Sequence, residues 1–346
     1  MESVLINHEA SLVDALKKLN SIRNLSRLIL FVTDDKQRVI GSVTDGDIRR
    51  SIVEFQDLSK KVGEICNKNF KHLSEDNKYQ NFDVFRKADI KILPVLDQNK
   101  KMVELIDLAK VKASLPLECV IMAGGRGKRL SPLTDTVPKP MLPLGGKPII
   151  EHNIDRLISF GIKKIYISVK YLGEQIVDYF GDGSSKGIEI QYIWEDKPLG
   201  TAGALALIND YKSNHILVIN SDVFTNADFE HLYEVLIDQE ADMSVASTEY
   251  KVDIPYAVFE TNGIQVIDFK EKPSYIYHSN AGIYILKKEL IHKIPKGEYF
   301  DITDLMDCLV KEGGKLVYDP IIGYWVDIGK PVDYIQAQDF IKHIKE

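Results

Sequence analysis

Residues 120–148 read VIMAGGRGKRLSPLTDTVPKPMLPLGGKP, and the reading of the longer part of the chain works outward from them. Val120, Ile121 and Met122 close a short apolar run of the kind that forms a buried strand. Ala123, Gly124, Gly125 and Gly127 follow with almost no side-chain bulk, so the strand runs into a loop whose backbone N–H groups can approach a phosphate closely. Arg126, Lys128, Arg129 and Lys139 cluster here against a single Asp135, in a chain whose formal net charge is -7. Such cations suit charge-assisted recognition of phosphoryl oxygens; a solvated turn with scattered charges would have the same composition. Two common phosphate loops are excluded by spacing. Gly127-Lys128 is followed by Arg129 where a P-loop needs Ser or Thr, and Leu130 stands where a dinucleotide fingerprint needs its third glycine.

Beyond the loop, apolar residues recur at helical spacing from Ile149 to Phe160, and Gly161 stops them. KKIYISV then reads as a strand, Gly173 to Phe180 as a helix, IEIQYIW as a strand, Thr201 to Ile208 as a helix and HILVINSD as a strand. This alternation predicts an α/β fold: a Rossmann-like, mostly parallel sheet wrapped by helices, with ligands at the carboxyl ends of its strands. Asp222 ends the strand around Ile216 to Ile219, and Asp327 follows Tyr324-Trp325-Val326. Each is a candidate ligand for a metal, although a lone strand-end Asp also serves as a turn former or cap.

Length favours two folding units, and the 45% apolar fraction is ordinary for a globular protein. Cys66, Cys119 and Cys308 are too few and too far apart for a disulfide framework or a metal knuckle. The start, MESVLINHEA, lacks a secretory pattern, and no apolar run reaches the ~18 residues of a membrane span. The expectation is a cytoplasmic protein with no membrane partner. Net acidity also disfavours nucleic acid.

Residues 1–115 form the expected smaller α+β unit, with a boundary near Leu115-Pro116 and the second unit over 118–346. RLILFVT, an Asp34-Asp35-Lys36 turn, a strand from Arg38 to Thr44 and a helix from about Asp47 are echoed from Lys91 onward. Val32 and Asp34 match Val95 and Asp97 at an offset of 63, which drifts to 62 where Val43-Thr44-Asp45 meets Leu105-Ile106-Asp107. The duplicated pattern resembles a tandem pair of CBS domains, modules that commonly bind adenine nucleotides and regulate an attached enzyme. Gly41, Thr44 and Asp47 match that family's G-x-x-[ST]-x-x-D ribose and phosphate motif, whereas Glu104 occupies the glycine position of the second repeat. The resemblance implies one intact regulatory nucleotide site, at Thr44 and Asp47. The same two residues also suit a helix cap.

The run Ala123-Gly124-Gly125-x-Gly127-x-Arg129-Leu130-x-Pro132-Leu133-Thr134, with Pro138-Lys139-Pro140 and Lys147-Pro148 behind it, resembles the N-terminal signature of the sugar-1-phosphate nucleotidylyltransferases. Lys128 replaces the Thr usual in that family. The resemblance implies that a hexose 1-phosphate attacks the α-phosphorus of a nucleoside triphosphate and releases pyrophosphate. It further implies that Asp222 and Asp327 hold one Mg²⁺, that Arg129 and Lys139 contact the triphosphate, and that Lys272 of Glu271-Lys272-Pro273 contacts the sugar phosphate. The nucleotide would lie on Ala123, Gly124, Gly125, Gly127, Glu195 and Gly200, and the sugar near Gly203, Tyr256, Glu271, Asn280, Ala281 and Gly282. Tyr256-Ala257 departs from the family's usual Tyr-Gly. Lys272 as a surface lysine and Glu195 as a strand-end charge are the plainer readings of those two residues.

Pro198-Leu199-Gly200-Thr201-Ala202-Gly203 resembles the form found in guanylyltransferases and implies GTP, with Glu195 accepting from guanine N1–H and N2–H₂. Tandem CBS modules ahead of such a domain are similar in arrangement to the guanylyltransferases of legionaminic-acid biosynthesis, which implies glucosamine 1-phosphate; mannose 1-phosphate is the alternative sugar. A nucleotide sensor on an inactive transferase fold is the reading from another class, opposed by the presence of Arg129, Lys139, Asp222, Lys272 and Asp327. The oligomeric state, homo-oligomer included, is left open. DIGKPVDYIQAQDFIKHIKE reads as a closing helix.

Overall fold

The computed structural model describes residues 2–23, 25–75 and 82–344. The chain divides into two compact units, Met1–Leu115 with Ser159–Gly161, and Pro116–Ile158 with Ile162–Glu346.

In the first unit, β1 (Leu5–Asn7), α1 (Leu12–Ser21), β2 (Ile29–Thr33), β3 (Val39–Thr44) and α2 (Asp45–Phe55) make one repeat, and a short α3 (Val62–Ile65) follows. The second repeat comprises β4 (Leu73–Ser74), α4 (Asp83–Lys87), β5 (Ile92–Leu96) and β6 (Met102–Asp107). The sheets share one order, β1-β2-β3 and β4-β5-β6, parallel then antiparallel. Each antiparallel pair carries its irregularity at the same place, between Val32 and Thr33 and between Val95 and Leu96. The predicted drift in offset is therefore corrected. Ile29 pairs with Thr44 and Ile92 with Asp107, so 63 holds throughout and the counterpart of Thr44 is Asp107. Turns of equal length enforce this: Asp34 N–H donates to the Arg38 carbonyl, and Asp97 N–H to that of Lys101. The chain turns at Asp107 without a second copy of α2.

In the second unit β7 (Leu117–Met122), β8 (Pro143–Leu144), β9 (Lys147–Pro148), α5 (Ile149–Ser159), β10 (Lys164–Val169), α6 (Gly173–Phe180), β11 (Glu189–Trp194), β12 (His215–Asn220) and β13 (Val223–Thr225) precede α7 (Phe229–Asp238). There follow β14 (Met243–Asp253), β15 (Val258–Asn262), β16 (Gln265–Lys270), β17 (Ser274–Lys287), α8 (Ile302–Lys311), β18 (Leu316–Pro320), β19 (Trp325–Asp327) and α9 (Pro331–Ile341). Seven strands form a mixed sheet in the order β11-β10-β7-β12-β17-β14-β18, in which β11, β10, β7 and β12 run parallel and β17 is antiparallel to both neighbours. The apolar runs of β7, β10 and β12, broken in β10 by the buried Ser168, belong to strands covered on both faces. Their carboxyl ends, at Met122, Val169 and Asn220, open on one side.

The segment 201–208 is not the α-helix its apolar spacing suggests. Ala202 and Gly203 N–H both donate to the Phe300 carbonyl at 3.0 Å, which ties the chain sideways and leaves a 3-10 turn over Gly203–Leu207. The closing helix is α9, shorter than the predicted stretch; residues 345 and 346 lie outside the described residues. Its Ala337 is buried with Leu130, Leu142, Leu144 and Ile328, so the helix braces the glycine loop and β19 together. Among the described residues, no helix is long and apolar enough to cross a membrane.

Candidate active site

The glycine turn begins where β7 ends. Ala123 N–H donates to the Ser168 carbonyl of β10, holding the turn to the sheet. Gly127 has φ +66°, and a Cβ there would lie 2.9 Å from Lys139 Cβ, so only glycine lets the loop close on the Pro138-Lys139-Pro140 segment. The Thr134 hydroxyl donates to the Gly127 carbonyl at 2.9 Å and pins the fold-back. A Cβ on Gly125 would meet nothing within 4 Å, which leaves that backbone open to a ligand. Arg126 turns away, its guanidinium 5.3 Å from the centre of the Tyr171 ring.

Opposite the turn, Lys139 is buried and its ammonium donates to Asp222 Oδ2 in an ion pair. Asp222 sits between β12 and β13, and β13 pairs antiparallel with β19 so that Val223 faces Asp327. Ile328 N–H donates to the Asp222 carbonyl at 3.1 Å, fixing the two acidic residues side by side although 105 positions separate them. A Cβ on Gly329 would lie 3.3 Å from Asp327 Oδ2 and 3.4 Å from an Arg129 nitrogen; guanidinium and carboxylate flank the same glycine. Asp327 remains partly open to water. Partial desolvation of its carboxyl, then the adjacent Asp222 charge, push its pKa above the ordinary value, against the pull of Lys139 and Arg129.

Arg129, Lys139, Asp222 and Asp327 are thus gathered at one place. Gly124, Gly125, Gly127, Lys128, Arg129, Lys139, Glu195, Gly200 and Asp222 line one cleft of about 440 Å³. Two adjoining carboxylates suit Mg²⁺, a hard cation that commonly takes one or two protein oxygens and completes its shell with phosphate and water. The residues present fit that use: one acid raises the pKa of the other, and an ammonium already occupies Asp222 as a cation would. Among the described residues, no group of three or more His, Cys, Asp or Glu gathers as a fuller metal cage.

Glu195 is buried, and both its oxygens are engaged. Ser168 Oγ donates to Oε1 and Leu199 N–H to Oε2 at 3.0 Å. The carboxylate therefore joins β10 to the 195–200 loop, and a base would reach it only through remaining lone pairs. A Cβ on Gly124 would come within 2.6 Å of Glu195 Oε1, which explains the glycine. Gly200 (φ +76°) packs on the Phe300 carbonyl, and Gly203 lies buried beneath the Glu298–Phe300 backbone, away from the cleft wall.

Gly282 packs behind the cleft-lining Asn220, and neither it nor Asn280 lines the cleft itself. Gly282 N–H donates to Asn280 Oδ1, and Gly282 packs so tightly on Asn220 that a Cβ would lie 2.6 Å from its Nδ2. Tyr256, Glu271 and Lys272 are not brought to the cleft. They lie beyond the far end of the β14–β17 ladder, where Asp253 pairs with Ser274, six residues past Asn280 and about 20 Å along an extended strand. All three are exposed. Lys272 adopts a left-handed φ of +46°.

Several cleft residues escape a reading by spacing: Asn220, Ser221, Tyr299 and Asp301; Thr201 stands within the Pro198-to-Gly203 run with no role assigned to it. Only Asp301 carried a signal, since Asp301 and Asp304 form a capping box at the start of α8. Asp301 also accepts from the Thr201 amide and hydroxyl, closing the cleft's far wall.

In the first unit, Thr44 and Asp47 cap α2 reciprocally: Thr44 N–H donates to Asp47 Oδ2 at 2.8 Å, and Asp47 N–H to Thr44 Oγ1 at 3.3 Å. Burial raises the Asp47 pKa, but hydrogen bonds from Thr44 and Arg50 outweigh it and hold the group below its ordinary value. Gly41 is required by packing, because a Cβ would lie 2.5 Å from Cys66 Sγ. Both motif residues line a second cleft of about 520 Å³.

A cationic glycine turn facing paired carboxylates, at the carboxyl ends of parallel strands, defines an α/β protein built to handle phosphorylated substrates. The chain belongs to the nucleotidyl transferase family, whose sequence profile matches residues 118–344, and a CBS-domain profile matches residues 2–54. It is 30% identical over 239 residues to the mannose-1-phosphate guanylyltransferase of Mycobacterium tuberculosis, covering 67% of each chain. It is 35% identical over 236 residues to the bifunctional protein GlmU of Methanococcus maripaludis, covering 64% of this chain and spanning only 54% of that protein. Among solved structures it resembles HddC from Yersinia pseudotuberculosis complexed with GMP-PN, at TM-score 0.51 and 28% identity, over 65% of this chain and 99% of that one.

Proposed function

We propose that this chain transfers a nucleoside monophosphate from GTP to a hexose 1-phosphate, giving a GDP-sugar and pyrophosphate. The observation that carries the reading is the meeting of Arg129, Lys139, Asp222 and Asp327 beside the open Gly125 backbone. The sugar phosphate oxygen is already anionic, so no protein nucleophile is needed. As it bonds to the α-phosphorus, the bond to the β-phosphate oxygen breaks and pyrophosphate leaves in line. The chain's work is alignment and charge compensation of two polyanions. Lys139, held between two prolines, and Arg129 supply fixed positive charge; the turn amides receive phosphate oxygens. Mg²⁺, held by Asp222 and Asp327, would add screening of the same charges.

GTP is favoured by the Pro198-to-Gly203 loop and by the guanylyl-transferring relative and GMP-PN-bound neighbour. Glucosamine 1-phosphate is our first choice of acceptor, on domain arrangement, and mannose 1-phosphate the second. Tyr256, Glu271 and Lys272 would have to move toward Asn280 and Gly282 to share a sugar. The first unit, read as tandem CBS modules with Thr44 and Asp47 at the base of a cleft, would carry a regulatory nucleotide. The test is pyrophosphate release over a matrix of four nucleoside triphosphates against glucosamine, N-acetylglucosamine, mannose and glucose 1-phosphates. Turnover confined to GTP with one hexosamine or hexose supports the reading; no release with any pair sinks it and favours a nucleotide sensor.

A further inference from the structure

A cleft of about 930 Å³ in the first unit adjoins the Thr44–Asp47 cleft, sharing Phe70 with it, but is lined by neither motif residue. One wall comes from the β2–β3 turn, with Lys36 and Arg38; the other from the β5–β6 turn, with Lys100 and Lys101; and Lys68 and His72 stand on the connecting segment between the repeats. The turns are repeat-related, so duplication has set two basic edges across one hollow. Among the described residues, no carboxylate lines it. Asp34 accepts from Arg38 at 2.6 Å, whereas Lys36, Lys68, Lys100 and Lys101 have no ion-pair partner among the described residues. The neighbouring cleft at Thr44 and Asp47 differs: its Arg27 and Lys91 both reach Asp89, and its Arg50-bound Asp47 faces inward. Residues 1–115 carry 20 Lys and Arg against 17 Asp and Glu, a net +3 in a chain of net -7.

Four exposed ammonium groups without an ion-pair partner among the described residues ring one concavity and repel each other, and an anion of matching charge relieves that repulsion. A single carboxylate would leave most of it in place. We infer that the hollow between the two hairpin turns binds a chain of phosphoryl groups, free as pyrophosphate or carried by a nucleoside triphosphate. Phe70 packs on Phe31 and His72 at the inner edge and offers a rim for a base in the second case. The site is independent of the transfer reaction proposed above, and of Thr44 and Asp47.

The test is hydrogen–deuterium exchange on the full chain with pyrophosphate, GTP or GMP, with chloride matching ionic strength. Amides of 34–38 and 97–101 should slow with pyrophosphate and GTP if the phosphoryl chain suffices, or with GTP alone if a base is also needed. GMP should act weakly. Lys68→Glu with Lys101→Glu should weaken the response at least about tenfold, while Thr44→Val leaves it unchanged. Should the double reversal lower the melting temperature sharply, Lys36→Gln with Lys100→Gln provides the same reading with neutral side chains. Unslowed turns with every probe, slowing that survives removal of the lysines, or slowing lost in Thr44→Val would each overturn the inference. Turnover plays no part in the readout, so failure here and failure of the transferase reading are separable.

Discussion

Lys139 sits buried between Pro138 and Pro140, paired with Asp222, and its stiff backbone aims the ammonium at the place where phosphates would react. Replacing Asp222 with Asn removes half of this pair and one of two carboxylates. Turnover should fall by on the order of 100-fold or more, while circular dichroism keeps the native spectrum; near-normal pyrophosphate release would remove Asp222 from the site. Asp327 allows a test of sign. Desolvation and the neighbouring Asp222 raise its folded pKa, so ionising it disfavours the folded state. The penalty is absent below its unfolded value of about 3.9, grows as pH rises toward the raised folded value, and is complete above it. Metal-free Asp327→Asn should therefore melt above the wild type at neutral pH, with the difference vanishing below about pH 4, even as activity is lost. Gly282→Ala forces a side chain to φ +73° and against Asn220. It should cost about 1–3 kcal/mol in urea unfolding and disturb the cleft wall at Asn220.

At the scale of elements, the cap of α2 and the ladder of β13 with β19 do different work. Thr44 and Asp47 bond to each other, which is sufficient reason for both residues whatever else they bind. Thr44→Ala should cost about 1 kcal/mol, read in the unfolding of the first unit, and Thr44→Ser should restore it. A regulatory nucleotide at this place would add a ligand-dependent shift that Ser preserves and Ala loses. The β13–β19 pair instead joins distant segments, and α9 packs behind it through Ala337, while the Tyr334 hydroxyl ties α9 to β8 by donating to the Pro143 carbonyl. The 3-10 turn at Gly203–Leu207 shows how a helix-like spacing is overruled: the amides that would begin a helix are taken by Phe300, and Gly203 is small enough to lie beneath that backbone.

For the whole molecule, two compact units predict two calorimetric transitions, only one of which should shift in Thr44→Ala. Chelation should abolish turnover and leave both transitions nearly in place if the metal is held by Asp222 and Asp327 alone, because two partly open ligands contribute little to folding. The local order of the chain was legible in its residues: strands from apolar runs, the glycine turn from absent side chains, and the repeat from matching Asp34 and Asp97 turns. These depend on neighbours in sequence, and periodicity reports them. What faces what was not legible. The constant offset of 63, the sideways capture of 201–203, the commitment of Glu195 to Ser168 and Leu199, and the distance of Lys272 from Asn280 all arise from contacts between remote segments. So does the meeting of Asp222 with Asp327, since a strand-end carboxylate in isolation carries no record of the ladder that will bring its partner alongside.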